Sequence, residues 1–230
     1  MDAETLAYNK RQYEQTYGST IEFAEFIRPL MQGTKNVIDL GCGAGAPTKY
    51  LALTFPEAEL FLGIDKDPDL IEMASKEAVP RTAFIQGDLF NLPSLHPDAV
   101  ISLQTFSWLP EIMKPLFEIC TKLKPQWLAF SSLFYDGAIS CDIIVKEPMV
   151  PRKAFYNIYS IPAVTAFLGY HGYDPVEIRR FGKSENLQPM PKPENKDAMR
   201  SYTIDAGEDR MIFSGPLYLP WYFLSYRKRT

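Results

Sequence analysis

The sequence predicts an α/β fold built on a doubly wound, mostly parallel sheet. Strand-like and helix-like segments alternate from residue 36 to residue 134, and this rhythm is typical of such sheets. The strand-like runs, such as residues 99–101 and 127–130, are apolar throughout, which favours strands covered by helices on both faces. A glycine-rich turn follows the first strand at residues 41–45, and ligands of such sheets bind at the carboxyl ends of strands.

Two helical segments precede the first strand. Residues 4–17 have a polar and aromatic helical pattern, which Gly18 and Ser19 interrupt. Thr20 is the predicted N-cap of a second, more apolar helix, and Gly33 is predicted to end it.

The core segments then alternate in chain order. They are strand 36–40, helix 46–55, strand 59–64, helix 68–77, strand 82–86, strand 98–103, helix 110–123 and strand 126–134. The last third departs from this rhythm. Its predicted elements are helix 160–171, strand 175–181, β runs at 202–204 and 210–213 joined by a hairpin loop, and a final strand 221–226. Residues 186–195 carry three prolines and are a predicted surface loop.

The bulk properties are those of one ordinary globular domain. The chain has 230 residues, of which 46% are hydrophobic and 23% charged, so it has room for a sizeable core. No apolar stretch approaches the roughly 20 residues of a membrane span, and residues 1–4 lack the pattern of a secretory signal. We therefore expect a soluble, cytoplasmic protein without a membrane partner.

Charge and cysteine content exclude further classes. The net charge of −4 gives no electrostatic footprint for nucleic acid, although residues 226–229 form a basic end. Cys42, Cys120 and Cys141 have neither the count nor the spacing of a disulfide framework or a zinc site. We expect reduced thiols and no metal centre. Packing of a small side chain is the favoured role of Cys42, and a reactive thiol is the alternative.

The run from Val37 to Gly45 carries the main functional signal. Its glycines allow unusual dihedrals and let a ligand approach the backbone closely. Asp39 precedes the turn and would repel a pyrophosphate, whereas it suits a ligand with an ammonium group or turn amides that need an acceptor. Residues 41–46 also match the dinucleotide pattern G-x-G-x-x-A, so a nicotinamide cofactor stays open at this point.

Two further acids end the next two strands. Asp65 follows the second strand, where a carboxylate can bond both hydroxyls of a ribose. Asp88 follows the third strand and can accept from the exocyclic amine of adenine. A lone strand-end aspartate more often caps the next helix. Three such acids beside a glycine turn instead indicate a site for a cationic ligand that carries a sugar and an adenine.

These residues resemble the donor site of the class I S-adenosylmethionine-dependent methyltransferases. The resemblance covers about residues 34–135 and implies S-adenosyl-L-methionine as cofactor, with S-adenosyl-L-homocysteine as product. In that family the glycine turn meets the methionine part, the acid after the second strand holds the ribose, and the acid after the third strand frames the adenine. The implied cofactor-binding residues are Asp39, Gly41, Cys42, Gly43, Asp65, Asp88, Leu89 and Gln104.

The resemblance also extends the fold prediction. It implies a three-layer, seven-stranded sheet whose strands six and seven, at 175–181 and 219–228, form an antiparallel hairpin. It implies an N-terminal helical lid as well, with Tyr8, Tyr13 and Tyr17 as candidates and ordinary packing as the alternative. The predicted parts of the single domain 1–230 are helices and lid at 1–33, the donor-binding core at 34–135, and a substrate-side insertion with the C-terminal hairpin at 136–230.

The acceptor side begins after the fourth strand. Residues 102–110 lack the Asn/Asp-Pro-Pro-Tyr/Phe run of family members that methylate planar amides or DNA amines, which leaves O-, C- or other N-methylation open. The candidate substrate-binding residues are Phe106, Trp108 and Tyr135, with packing under the next helix as the alternative for the first two. No catalytic residue is named. His96 and His171 are both assigned structural roles.

The favoured function is a methyltransferase that transfers the methyl group to an oxygen or nitrogen of a small-molecule or sugar-like acceptor. An NAD-dependent oxidoreductase is the first alternative, since the G-x-G-x-x-A match supports it and Asp39 and Asp88 oppose it. A non-catalytic subunit that binds the donor or a partner is the second, because no catalytic residue can be named. RNA and protein acceptors stay open, with little support for RNA from the acidic balance.

Overall fold

The described part of the chain contains thirteen strands and five α-helices with defined bounds, and residues 11–14 are helical as well. The computed structural model describes residues 9, 11–146, 153–181, 201–206, 209–214, 217–219 and 221–229. The strands are β1 Asn36–Leu40, β2 Leu60–Asp65, β3 Thr82–Gln86, β4 Ala99–Leu103, β5 Trp127–Tyr135, β6 Ile144–Lys146, β7 Lys153–Phe155, β8 Tyr159–Ser160, β9 Tyr173–Arg180, β10 Ser201–Ala206, β11 Asp209–Ser214, β12 Leu217–Leu219 and β13 Trp221–Lys228. The helices are α1 Gly18–Ile27, α2 Ala46–Thr54, α3 Pro68–Lys76, α4 Met113–Glu118 and α5 Ile161–Tyr170.

A central sheet has seven strands in the order β3-β2-β1-β4-β5-β13-β9, and the short β8 pairs with β5. The strands from β3 to β5 are parallel, whereas β13 runs antiparallel to both β5 and β9. The predicted doubly wound sheet with an antiparallel C-terminal pair is therefore confirmed. In this pair β13 lies between β5 and the edge strand β9.

Two apolar clusters, one on each face of the sheet, explain its stability. One joins α1 and α2 to the sheet and includes Phe23, Phe61 and Phe223. The other joins α4 and α5 to the opposite face. Core strands such as β4 bury side chains on both faces, which accounts for their uninterrupted apolar sequences.

Helix boundaries at the N-terminus differ from the predictions. Gly18 and Ser19 were expected to separate two helices and Thr20 to cap the second, but α1 begins at Gly18. Tyr17 is the residue with extended dihedrals before the helix, and the Thr20 N–H already donates to the Tyr17 carbonyl. Ser19 tolerates the helical position because it is buried and its hydroxyl accepts from the Gln104 Nε2, so tertiary contacts outweigh its weak helix propensity.

The helix predicted at 110–123 is shorter and irregular. Its α-helical part begins at Met113, and residues Ile119–Leu123 form a π-helical turn. The Lys124 N–H closes this turn by donating to the Ile119 carbonyl, with Lys124 itself in the left-handed region.

The C-terminal third follows its prediction where it is described. Strand β10 pairs antiparallel with β11, from Ser201 opposite Ser214 to Ala206 opposite Asp209, as expected of a hairpin. The predicted surface loop 186–195 lies outside the described residues. None of the helices in the described part combines the length and apolarity that a membrane span requires.

Candidate cofactor and acceptor site

The carboxyl ends of the parallel strands bring the three predicted acids to one edge of the sheet. In the register of β1 and β2, Asp39 lies beside Gly63, two residues before Asp65. In the register of β2 and β3, Asp65 lies beside Gln86, two residues before Asp88. These strand ends and the loops that follow them form the site edge of the sheet.

The glycine turn after β1 takes left-handed dihedrals. Gly41, Gly43 and Gly45 have φ angles of 72°, 55° and 86°. A Cβ on Gly41 would lie 2.3 Å from the Thr105 side chain, and one on Gly45 would lie 2.7 Å from the Phe84 ring. Glycine is therefore required at positions 41 and 45 both for dihedral freedom and for close packing.

Asp65 fixes the turn to the second strand. Its Oδ2 accepts from the Gly43 N–H at 2.9 Å, and its Oδ1 accepts from the Asp67 N–H at 3.0 Å. Each carboxylate oxygen has a second acceptor position, so these bonds leave capacity for two ligand hydroxyls. Asp65 thus has a structural role in the turn, and its binding of a ribose stays a prediction.

Asp39 is the least solvated acid of the site. It is buried at 2% exposure, and its Oδ2 accepts from the Thr48 hydroxyl at 2.6 Å. Within the described residues its Oδ1 has no hydrogen-bond partner. Burial raises the pKa of Asp39 to about 7, the Thr48 hydrogen bond opposes this shift, and the nearby Asp65 charge adds to it. An unpaired buried carboxylate oxygen fits a ligand that supplies a cationic donor.

This burial predicts a pH-dependent stability that Asp39→Asn should abolish. Between pH 3.8 and about 7 the folded protein holds a proton on Asp39 that the unfolded chain has released, so the free energy of unfolding falls as pH rises through this interval. The shift bounds the loss at about 4 kcal/mol. Denaturant titrations from pH 4 to pH 8 should show that the free energy of unfolding of the Asn variant increases relative to that of the wild type as the pH approaches 7. Curves that stay parallel would contradict the assignment.

Asp88 and Leu89 occupy different environments. Asp88 is exposed, and its Oδ1 accepts from the Phe90 N–H at 2.9 Å, which forms a turn after β3. Leu89 is buried at 5% exposure and packs in the core cluster of the α4 and α5 face. The turn places the carboxylate next to an apolar side chain, as expected of an edge that frames a base.

The N-terminal segment lies on the glycine turn. The Asn9 Oδ1 accepts from the Ala44 N–H at 3.3 Å, and the Tyr13 hydroxyl donates to the Ala44 carbonyl. Burial raises the pKa of Tyr13 to about 12, and the Lys49 ammonium lies 5.3 Å from its ring centre. Tyr13 therefore packs on the glycine turn, and its role as a lid residue stays a prediction. Tyr17 lines a small pocket above the start of α2, together with Gln12, Thr16, Thr20, Ala46 and Pro47. Tyr8 lies outside the described residues.

Gln104 has a strained backbone at the end of β4. Its φ angle of 57° is in the left-handed region, which is uncommon for a residue with a side chain. The Gln104 N–H donates to the Ser131 carbonyl at 2.5 Å, and its Nε2 donates to the Ser19 hydroxyl at 3.2 Å. These bonds aim the side chain from β4 toward the N-terminus of α1, across the site edge.

The structure separates the predicted aromatic residues of the acceptor side. Phe106 is fully buried and meets Phe130 edge-to-face with ring centres 4.8 Å apart, so it packs in the core and offers no face to an acceptor. Trp108 is 43% exposed and contacts the Tyr156 ring, with centres 4.6 Å apart. Tyr135 is also 43% exposed. Packing, the alternative for Phe106, is thus what the structure favours.

Cys42 is a packing residue in this arrangement. It is buried, and its Sγ would lie 2.8 Å from a Cβ placed on Gly63. Burial raises the pKa of the Cys42 thiol far above its usual range, so a reactive thiolate is disfavoured. The described residues contain no cluster of histidine, cysteine and acidic side chains that would hold a metal ion.

Three polar residues of the site were not singled out from the sequence. Thr48 bonds Asp39, and Thr105 bonds the Gly41 carbonyl at 3.2 Å. Asn157 is fully buried and bonds the loop that follows β4. Thr48 lies one helical turn from the glycines, and that spacing was a usable signal. The contacts of Thr105 and Asn157 join segments 64 and 48 positions apart, which no local pattern reveals.

Comparison with known proteins finds a family match within the chain. Residues 37–126 match the family model described as "Methyltransferase domain". A trans-aconitate 2-methyltransferase from Deinococcus radiodurans is 30% identical over 122 residues, covering 52% of this chain and 46% of that protein. One from Escherichia coli is 28% identical over 154 residues, covering 58% of each. The matched segments thus span about half the length of these curated relatives.

Solved structures agree on the fold. Magnesium protoporphyrin IX methyltransferase from Synechocystis, crystallised with bound S-adenosylhomocysteine, superposes with a TM-score of 0.55 at 15% identity, covering 91% of this chain and 82% of that one. The chain therefore shares the fold of this methyltransferase structure, and its predicted donor-binding core contains the segment that matches the methyltransferase domain model. The match favours the methyltransferase interpretation of residues 41–46 over the dinucleotide one.

Proposed function

We propose that this protein is an S-adenosylmethionine-dependent methyltransferase that acts on an oxygen or nitrogen of a small-molecule or sugar-like acceptor. The observation that carries the proposal is the presence of two carboxylates at the glycine turn. Asp65 accepts from the Gly43 N–H, and the buried Oδ1 of Asp39 has no hydrogen-bond partner among the residues that the structure describes. One carboxylate suits ribose hydroxyls and the other suits the ammonium of the methionine part. The relatives described as trans-aconitate 2-methyltransferases support a small-molecule acceptor.

The residues of the chain divide the work in this proposal. The cofactor supplies an electrophilic methyl group on a sulfonium. Asp39 and Asp65 hold and orient its two ends, Leu89 contacts the base, and Tyr13 with Asn9 covers the turn. Gln104 contacts the methionine end from β4, and the exposed faces of Trp108 and Tyr135 form walls for the acceptor. Orientation and exclusion of water supply the acceleration, so a dedicated base is optional.

We further propose that the chain works in a reducing compartment. We also propose that residues 1–230 form one domain with the three parts predicted from the sequence. All three cysteines are free, and only Cys141 is exposed, which supports the cytoplasmic location expected from the sequence.

Calorimetry and a labelled-methyl screen test the function directly. The wild type should bind both S-adenosylmethionine and S-adenosylhomocysteine. Label from S-adenosylmethionine should then enter the small-molecule fraction of a cell extract, with trans-aconitate as one pure acceptor to be tried. Label entering only RNA or protein would overturn the small-molecule acceptor. Donor binding with no transfer to any fraction would favour a non-catalytic subunit.

Gln104→Gly tests whether the Gln104 side chain contacts the donor or only tolerates a strained backbone conformation. Lys124 is the matched control, because it has a φ of 51° and lies away from the site edge. Replacing either residue with glycine relieves left-handed strain of about 1 kcal/mol, so neither variant should lose stability. We expect only Gln104→Gly to weaken the binding of S-adenosylhomocysteine, by about tenfold, or roughly 1.4 kcal/mol. Equal affinities of the two variants would remove Gln104 from the donor site.

A further inference from the structure

Asn157 joins three segments of the acceptor side in one buried contact. Its side chain is fully buried, and its Nδ2 donates to the Leu109 carbonyl at 2.9 Å and to the Pro110 carbonyl at 3.4 Å. Its Oδ1 accepts from the Ile143 N–H at 2.8 Å. The amide therefore connects the loop after β4 with the segment before β6, while Asn157 itself lies just before β8.

The backbone of Asn157 adds a third bond to the loop after β4. Its N–H donates to the Ser107 carbonyl at 2.9 Å, and the Ser107 N–H in turn donates to the Ser132 hydroxyl of β5 at 3.0 Å. The Tyr159 hydroxyl also donates to the Leu109 carbonyl, at 3.2 Å, and lies 3.2 Å from the Asn157 Nδ2. Asn157 and Tyr159 together thus hold Ser107, Leu109 and Pro110 from one side.

Only an asparagine amide satisfies this environment. The Ile143 N–H requires an acceptor, whereas the Leu109 and Pro110 carbonyls require donors, so the orientation of the amide is fixed by its surroundings. An aspartate has the same shape but places a second acceptor against those two carbonyls. Buried groups that lose their partners in this way destabilise the local arrangement they support.

The loop held by Asn157 carries the acceptor wall. Trp108 lies between Ser107 and Leu109, both bonded by Asn157, and its ring packs on Tyr156, the residue before Asn157. The exposed side of the indole is therefore fixed by bonds to Asn157 on both flanks.

We propose that Asn157 is a positioning residue that fixes the β4 loop and presents Trp108 to the acceptor. The assignment deepens the proposed function and rests on it. Asn157 acts through the loop and contacts neither the donor nor the reacting atoms. Its loss should therefore affect the acceptor side and leave the donor side unchanged.

Asn157→Asp is the test, with fluorescence quenching as its direct measurement. Of the three tryptophans, Trp127 and Trp221 are buried at 4% and 3% exposure, so acrylamide quenching reports Trp108. We expect the quenching constant to rise about twofold as the indole leaves Tyr156. The amount of extract acceptor needed for half-maximal label transfer should rise at least tenfold, while the Kd for S-adenosylhomocysteine stays within twofold of the wild type.

Tyr226→Phe is the control for general destabilisation. Tyr226 is fully buried like Asn157, and its hydroxyl is hydrogen-bonded to the Thr165 hydroxyl at 2.9 Å, away from the site edge. It should leave both the quenching of Trp108 and the acceptor requirement unchanged. Tyr159→Phe, which removes one hydroxyl from the Leu109 bond, should give the same effects as Asn157→Asp on a smaller scale, and it serves if the Asp variant does not fold.

The outcomes separate the two proposals. Unchanged quenching in both Asn157→Asp and Tyr159→Phe overturns the positioning role whatever the donor result. A loss of donor affinity as large as the loss on the acceptor side overturns it as well. Failure of the wild type to bind S-adenosylhomocysteine overturns the proposed function, and the quenching result then decides whether Asn157 fixes the loop.

Discussion

Asp65→Ala is expected to weaken the binding of S-adenosylhomocysteine about 100-fold, or by about 2.7 kcal/mol. The substitution removes the acceptor of the Gly43 and Asp67 N–H groups and, in the proposed complex, of two ribose hydroxyls. Hydrogen bonds to a charged group contribute about 1.5–3 kcal/mol each, so loss of the ligand bonds alone accounts for this effect. Isothermal titration calorimetry of the folded variant measures it. Asp65→Asn keeps one acceptor oxygen and should lose only about tenfold.

Asp98→Ala is the matched control for Asp65→Ala. The Asp98 Oδ2 also accepts from two backbone N–H groups, those of Lys35 and Asn36, each at 2.9 Å. These bonds lie at the amino end of β1, opposite the site edge. The two variants should lose similar stability, and only Asp65→Ala should lose donor affinity. Equal losses of affinity would show that Asp65 acts through the fold and holds no part of the donor.

The core of the fold was predictable because its signals are local. Strands β1 and β3 have the predicted bounds, and β2, β4 and β5 agree within one residue at each end. Apolar runs, the glycine turn and the strand-end acids all lie within short stretches, and parallel pairing then brings those acids to one edge. The antiparallel pairing of the last two strands of the sheet, β9 and β13, came from the family resemblance and is confirmed.

The features that were not predicted from the sequence depend on contacts between segments that are distant in the chain. Ser19 was assigned to a break between helices, yet its hydroxyl accepts from Gln104, 85 positions away, and this burial supports the helix. Phe106 was a candidate substrate-binding residue because it is aromatic and follows β4. The 3₁₀ turn at Phe106–Trp108 instead directs Phe106 into the core and Trp108 outward. Asn157 was not predicted, because the residues next to it in the sequence do not distinguish it from any other asparagine. Its role depends on the Leu109 and Pro110 carbonyls, which only the fold brings to it.

The same dependence on a distant contact makes Gly41→Ala the most destabilising single substitution that we predict. At a φ of 72° an alanine costs about 1 kcal/mol, and its Cβ would lie 2.3 Å from the Thr105 Cγ2 and Oγ1. Relieving that overlap moves Thr105 or the turn and adds about 2 kcal/mol. Chemical denaturation should show a loss of about 3 kcal/mol in the free energy of unfolding. The affinity for the donor should fall as well, because Gly41 is the first residue of the turn that Asp65 fixes.

Gly33→Ala isolates the backbone part of this loss. Gly33 has a φ of 79°, and a Cβ there meets no atom within 4 Å. It should lose only about 1 kcal/mol and bind S-adenosylhomocysteine normally. Thr105→Ala removes both atoms at 2.3 Å, so the double variant with Gly41→Ala should lose less stability than the sum of the two single variants. Strictly additive losses, or equal losses in the two glycine variants, would mean that dihedral strain alone requires glycine at position 41.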